Sequence, residues 1–234
     1  MAYPTPDNIL QKLSYDVYLK FNNVLPDTPD DVTEDGALSP DSTAYLANQK
    51  MTEIEYEMNW NNMRDVYAVG TVALDDYDLT IDSSITDNIV NFATAQGETA
   101  QFWKDGELVA EWQFVSPASL GMDKHSLTLI SGNHLMFSAK IDETLDGAEL
   151  RISGFRKFAR LSSLAPDTEI EVVPYDLLVY AVACQAALVN PAWSFRYPSL
   201  IAEYQNLLRN AMSRNMNIGG TNVINHTSEN RRSF

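Results

Sequence analysis

The stretch PYDLLVYAVACQAALVN, residues 174–190, decides the fold. Leu177, Val179, Val182, Ala183, Ala186 and Val189 leave it little polar face, so the spacing predicts a central helix. Pro174 suits its first turn and Pro191 ends it. Directly after it, PSLIAEYQNLLRNAMSRN (198–215) puts Leu200, Ile201, Tyr204, Leu207, Leu208, Ala211 and Met212 at i, i+3, i+4, i+7 steps. This is a second helix with one apolar face. Gly219-Gly220 is its expected stop. The remainder, MNIGGTNVINHTSENRRSF, holds almost nothing that could pack, and reads as an extended polar arm.

Upstream, the period changes. Between 66 and 162, Leu108, Ala110, Trp112 and Phe114 alternate with polar residues, as do Leu135, Phe137, Ala139 and Ile141, and then Leu150 and Ile152. A period of two is that of half-buried strands. Lys104-Asp105-Gly106-Glu107, Ser131-Gly132-Asn133 and Asp146-Gly147 supply tight turns between them. An antiparallel sandwich or partly closed barrel is expected. Further upstream the helical period returns. Ile9, Leu10, Leu13, Val17 and Phe21 mark a helix over 7–22 with Asp7 as its cap. Leu46, Met51, Ile54, Met58 and Met63 mark another over 42–64, with Tyr45 and Trp60 near its ends. Glu53, Glu55 and Glu57 on that helix diverge, because i,i+2 positions do not share a face.

The expected class is therefore α+β: a bundle of N- and C-terminal helices (1–65 and 163–215), a β insertion (66–162) and an extended C-terminal arm (216–234). With 45% hydrophobic residues in 234, the chain can bury a real core. Its net charge of −16 argues against a general nucleic-acid-binding face. The charge is uneven, because residues 213–234 carry Arg214, Arg231 and Arg232 against Glu229 alone. The acidity serves solubility, or it keeps a surface from adhering to passing DNA. No apolar run is long enough to span a bilayer, and MAYPTPDNILQK is not built as a signal peptide. A single cysteine, Cys184, excludes an internal disulfide framework and fits a reduced compartment and a core position.

Signals for chemistry are sparse. The nucleophile-elbow, phosphate-loop, dinucleotide and zinc-protease patterns are missing, so no catalytic residue and no cofactor is expected. His125 and His134 flank one β run without a visible third ligand, and His226 lies in the arm. The 31–36 segment resembles a calcium loop, but Thr33 replaces one acid and Ser42 stands where the bidentate glutamate belongs. A solvated loop is the plainer reading. Trp60 and Trp112 read as packing residues.

Three stretches carry a resemblance: YLANQKMTEIEYEMNWNNMR (45–64), LRISGFRKFARLSSLAPDTEIEVVPYDLLVYAVACQAAL (150–188) and FRYPSLIAEYQNLLRNAMSRN (195–215). Together with the polar C-terminal arm they resemble the head-to-tail connector (adaptor, or neck) proteins of tailed bacteriophages. There, a helix leads into a β insertion and the chain returns through two helices. The resemblance implies a structural virion protein, not an enzyme. It would be a subunit of a homo-oligomeric ring, usually twelve-fold, under the portal. DNA would cross its lumen without specific binding, a tail or neck protein would sit below, and no membrane would be involved. Ring and bundle packing would fall to Trp60, Tyr180, Tyr204, Leu207 and Leu208. The portal would be gripped by Arg214, Asn222, Val223, Ile224, Arg231, Arg232 and Phe234. The alternation in 222–226 would allow strand addition to a sheet edge. Alternative readings are another neck or tail ring protein, or a carbohydrate- or receptor-binding module that would need exposed Trp103 and Trp112.

Overall fold

A computed structural model describes residues 6–22, 38–95 and 97–229, with side chains as far as residue 216 in the C-terminal helix. The chain has an α+β fold in which N- and C-terminal helices flank a curled, largely antiparallel β-sheet. It divides into a helical unit, Met1–Met58 with Phe158–Phe234, and a β unit, Asn59–Lys157.

In the helical unit, α1 (Ile9–Tyr18) is capped by Asn8, whose side chain accepts from the Gln11 amide, rather than by Asp7. Helix α2 (Pro40–Glu57) is capped by Ser39, with Pro40 in the first turn. It ends seven residues before the expected Arg64. Met58 is already extended, and the asparagines that follow compete with helical backbone bonds. The α1–α2 contact carries a small polar seam: the buried Ser14 hydroxyl donates to Thr43 at 2.8 Å. Further along the chain, α4 (Tyr175–Val189) is the centre of this unit, packing against α1, α2 and the helix that follows it. Nine of its fifteen residues are buried, as an apolar helix without a polar face must be.

Helix α5 (Tyr197–Glu229) runs straight through Gly219-Gly220. This corrects the expected stop and the extended arm beyond it. Two glycines cost about 1 kcal/mol each against alanine, which weakens a helix without forbidding it. No proline follows Pro198 to break it.

The β unit is one eight-stranded sheet. Its strands are β1 (Arg64–Thr71), β2 (Asp78–Thr80), β3 (Ile89–Phe92), β4 (Thr99–Lys104), β5 (Glu107–Phe114), β6 (Ser126–Ile130), β7 (His134–Phe137) and β8 (Glu149–Arg156). The one-turn helix α3 (Ser83–Thr86) precedes β3. The order is β1-β8-β4-β5-β6-β7-β2, with β3 also on β8. The β4–β5 turn places Asp105-Gly106 in left-handed backbone, as a two-residue hairpin requires, and the three-residue β6–β7 turn does the same with Ser131-Gly132.

Pairing is antiparallel except at β5–β6, where Gln113 and Phe114 lie parallel to Ser126 and Leu127. Of the two expected forms, sandwich or partly closed barrel, this single curled and largely antiparallel sheet corresponds to the partly closed barrel. Residues 115–125 hold no tight hairpin turn, so the chain returns in the same direction as it left. The concave core gathers Phe102, Phe114, Leu127, Leu135, Leu150 and Ile152 around Trp112. Phe102 stacks obliquely on Trp112 at 5.1 Å, and Phe137 meets the Trp112 ring edge-on at 5.7 Å.

Candidate assembly surface

Glu55 is the first feature of the helical unit that periodicity did not foresee. It sits on α2, 3% exposed. One carboxylate oxygen accepts the Phe158 amide at 2.5 Å and the other accepts Arg160 at 2.7 Å. Two turns earlier on the same face, Asn48 accepts the Leu161 amide at 2.9 Å and donates to the Leu161 carbonyl at 2.8 Å. The i,i+7 pair thus straps the segment leaving the β unit onto α2. Glu53 and Glu57 point away from it and are exposed, as their spacing predicted.

At the other end, Tyr175 donates to Asp16 at 2.8 Å, and Lys12 pairs with Asp16 while lying over the Tyr175 ring. Burial and the Asp16 carboxylate push the Tyr175 hydroxyl far above its ordinary range. Lys20 covers the ring of Tyr180, which is half-buried. Tyr204 on α5 is half-buried as well; burial, with Glu53 and Glu57 nearby, pushes its hydroxyl up to about 12. Leu207 and Leu208 are half-buried beside it, while Leu200 and Ala211 are buried. Phe21 stacks on Trp193 at 4.4 Å, closing the turn before α5.

Four of the expected packing residues therefore gather in the helical unit. Trp60 does not: it is buried, but precedes the short turn Asn61–Met63 in the β unit. Among the expected portal-binding residues, Arg214 is exposed on α5. Asn222, Val223 and Ile224 lie in helical backbone, which removes the extended conformation that strand addition needs. Arg231, Arg232 and Phe234 lie outside the described residues, as does the 31–36 loop.

Chemistry is thinly represented. Hairpin β6–β7 separates His125 from His134, placing them at opposite ends; His125 meets the Trp112 ring and His134 faces Asp78 at 3.4 Å. No cluster of three metal-ligating side chains occurs among the described residues. Cys184 is buried on α4, and burial pushes its thiol up to about 11, away from nucleophilic use. A cleft of about 400 Å³ in the β unit is lined by Thr94, Phe114, Ser116, Ser119, Thr128 and Leu129, none of them a general base. Trp112 is buried, and Trp103 lies half-buried under Arg151, so neither offers an open stacking face to a sugar.

Large apolar and aromatic side chains are exposed on both units, Val66, Tyr77, Leu108 and Met122 among them on the β unit. Tyr45 is 63% and Tyr56 66% exposed on α2; Leu188, Val189 and Phe195 are exposed around the α4–α5 turn, and Met216 is exposed on α5. Tyrosine and methionine are enriched where proteins meet. No family model matches the chain, and no curated protein matches it.

Proposed function

We propose that this chain is a structural subunit of a homo-oligomeric ring at the head-to-tail junction of a tailed bacteriophage. It docks under the portal and continues the DNA channel toward a tail or neck protein. The reading rests on the resemblance of 45–64, 150–188 and 195–215 to adaptor proteins, and one observation carries it physically. Helix α5 is about 50 Å long at 1.5 Å per residue, whereas α4, on which it packs, is about 22 Å. The backbone of α5 is thus more than twice as long as that of α4, which gives it length for contact with a neighbouring chain. The exposed tyrosines and the α4–α5 apolar turn supply further surface for neighbours.

In this reading the helical unit forms the ring wall through neighbour-to-neighbour contacts, and residues 213–234 reach the portal. The C-terminal segment keeps its role as a grip, but enters as a helix laid on the portal rather than as an added strand. The acidic body lets DNA slide without adhering. The test is deletion of residues 216–234, followed by binding to portal-containing capsids. The truncated chain is expected to lose docking by at least tenfold, leaving heads that leak DNA. Normal docking and DNA retention would contradict this role for the C-terminal segment.

A further inference from the structure

Two helix faces in the helical unit carry matched rows. On α2, Tyr45, Gln49, Thr52 and Tyr56 are all exposed, and fall at i, i+4, i+7 and i+11 on the face opposite Ala47, Met51 and Ile54. On α5, Gln205, Arg209, Met212 and Met216 fall at the same four steps; all but the half-buried Met212 are exposed. Such steps line up a seam along a helix, and two helices bearing them pack side by side.

The rows are also complementary. The α2 row is edged by Asp41, Glu53 and Glu57, and the one lysine on that helix, Lys50, is already paired with Glu53 at 2.6 Å. From Tyr204 to Ser228 the chain contains no acidic residue, while Arg209 and Arg214 are exposed. A methionine sulfur favours the edge of an aromatic ring, and a guanidinium favours its face. Tyr45 and Tyr56 offer the rings; Met212, Met216 and Arg209 offer the partners. Glu53 and Glu57 already stand near Tyr204 of the same chain, so the open side of α2 is the tyrosine row itself.

We infer that the α2 tyrosine row is the seat for the Gln205–Met216 face of α5 from a second copy of this chain. The two surfaces are unlike, so the contact is head-to-tail, and repeated rotation closes a ring. This rests on the ring proposed above and names the surfaces that build it.

Cysteine cross-linking tests it, because Cys184 is buried and does not compete. A Gln49→Cys chain is mixed with an Arg209→Cys or Met212→Cys chain at high protein concentration and oxidised. The expected product is the mixed dimer, with at least tenfold less of either homodimer. A chain carrying both Gln49→Cys and Arg209→Cys is expected to give a ladder that ends at the ring number. Predominant Gln49→Cys homodimers would overturn the inference in favour of a two-fold contact. A ring seen by native mass spectrometry without the cross-link would overturn these surfaces and leave the ring standing. A chain that stays monomeric when concentrated and when bound to portal would overturn both.

Discussion

Replacing Glu55 by alanine is expected to destabilise the helical unit by about 3 kcal/mol, the lower end of what removing one partner of a buried ion pair costs. The lower end applies because Arg160 is partly exposed and can turn to water, whereas the Glu55 side chain is 2% exposed. The larger share of the loss comes from the Phe158 amide, which forfeits its acceptor in a buried position. For a unit of this size the melting temperature should fall by about 10 °C. Glu55→Gln should fall between wild type and alanine, since an amide oxygen can still accept from Phe158 but cannot pair with the guanidinium. Thermal denaturation followed by circular dichroism reads both. A shift below about 2 °C for Glu55→Ala would mean that the 158–161 segment is held by something other than this strap.

Phe102→Ala should act on the β unit with comparable or greater force. Phe102 is fully buried, in ring contact with Trp112 and Phe137. Truncating a buried phenylalanine costs about 3–5 kcal/mol, part of it for the cavity left behind. In a unit of this size that corresponds to roughly 15 °C or more. Because this core is drawn wholly from β-unit residues, hydrogen exchange should show lost protection in β4, β5 and β8 while α4 keeps its own. Unchanged protection in β4 would contradict the assigned core, and equal loss in α4 would contradict the division of the chain into two units.

The elements that could be read in advance are those whose local chemistry agrees with their tertiary setting. Helix α4 has no polar face to expose, so it could only be central. Asp105-Gly106 and Ser131-Gly132 demand left-handed backbone and therefore turns. Trp112, Leu150 and Ile152 alternate because one side of the sheet is core. The features that escaped depend on distant partners. Glu55 looks like any exposed helix glutamate until Phe158 and Arg160, more than a hundred positions away, come to meet it. The parallel β5–β6 pairing spans two residue pairs, too few to leave a pattern. The C-terminal helix escaped because two adjacent glycines read as a stop, although nothing after them enforces one. The tyrosine row on α2 was visible only as Tyr45 near a helix end; its meaning depends on knowing which side of α2 faces the core.

In the proposed function many copies of this chain close into a ring. Native mass spectrometry of the concentrated protein, paired with electron-microscopic symmetry analysis of the protein bound to portal, tests it most directly. A single closed ring of identical subunits, twelve-fold, is expected, with density for α5 bridging neighbouring chains. A monomer both in solution and on the portal would contradict it.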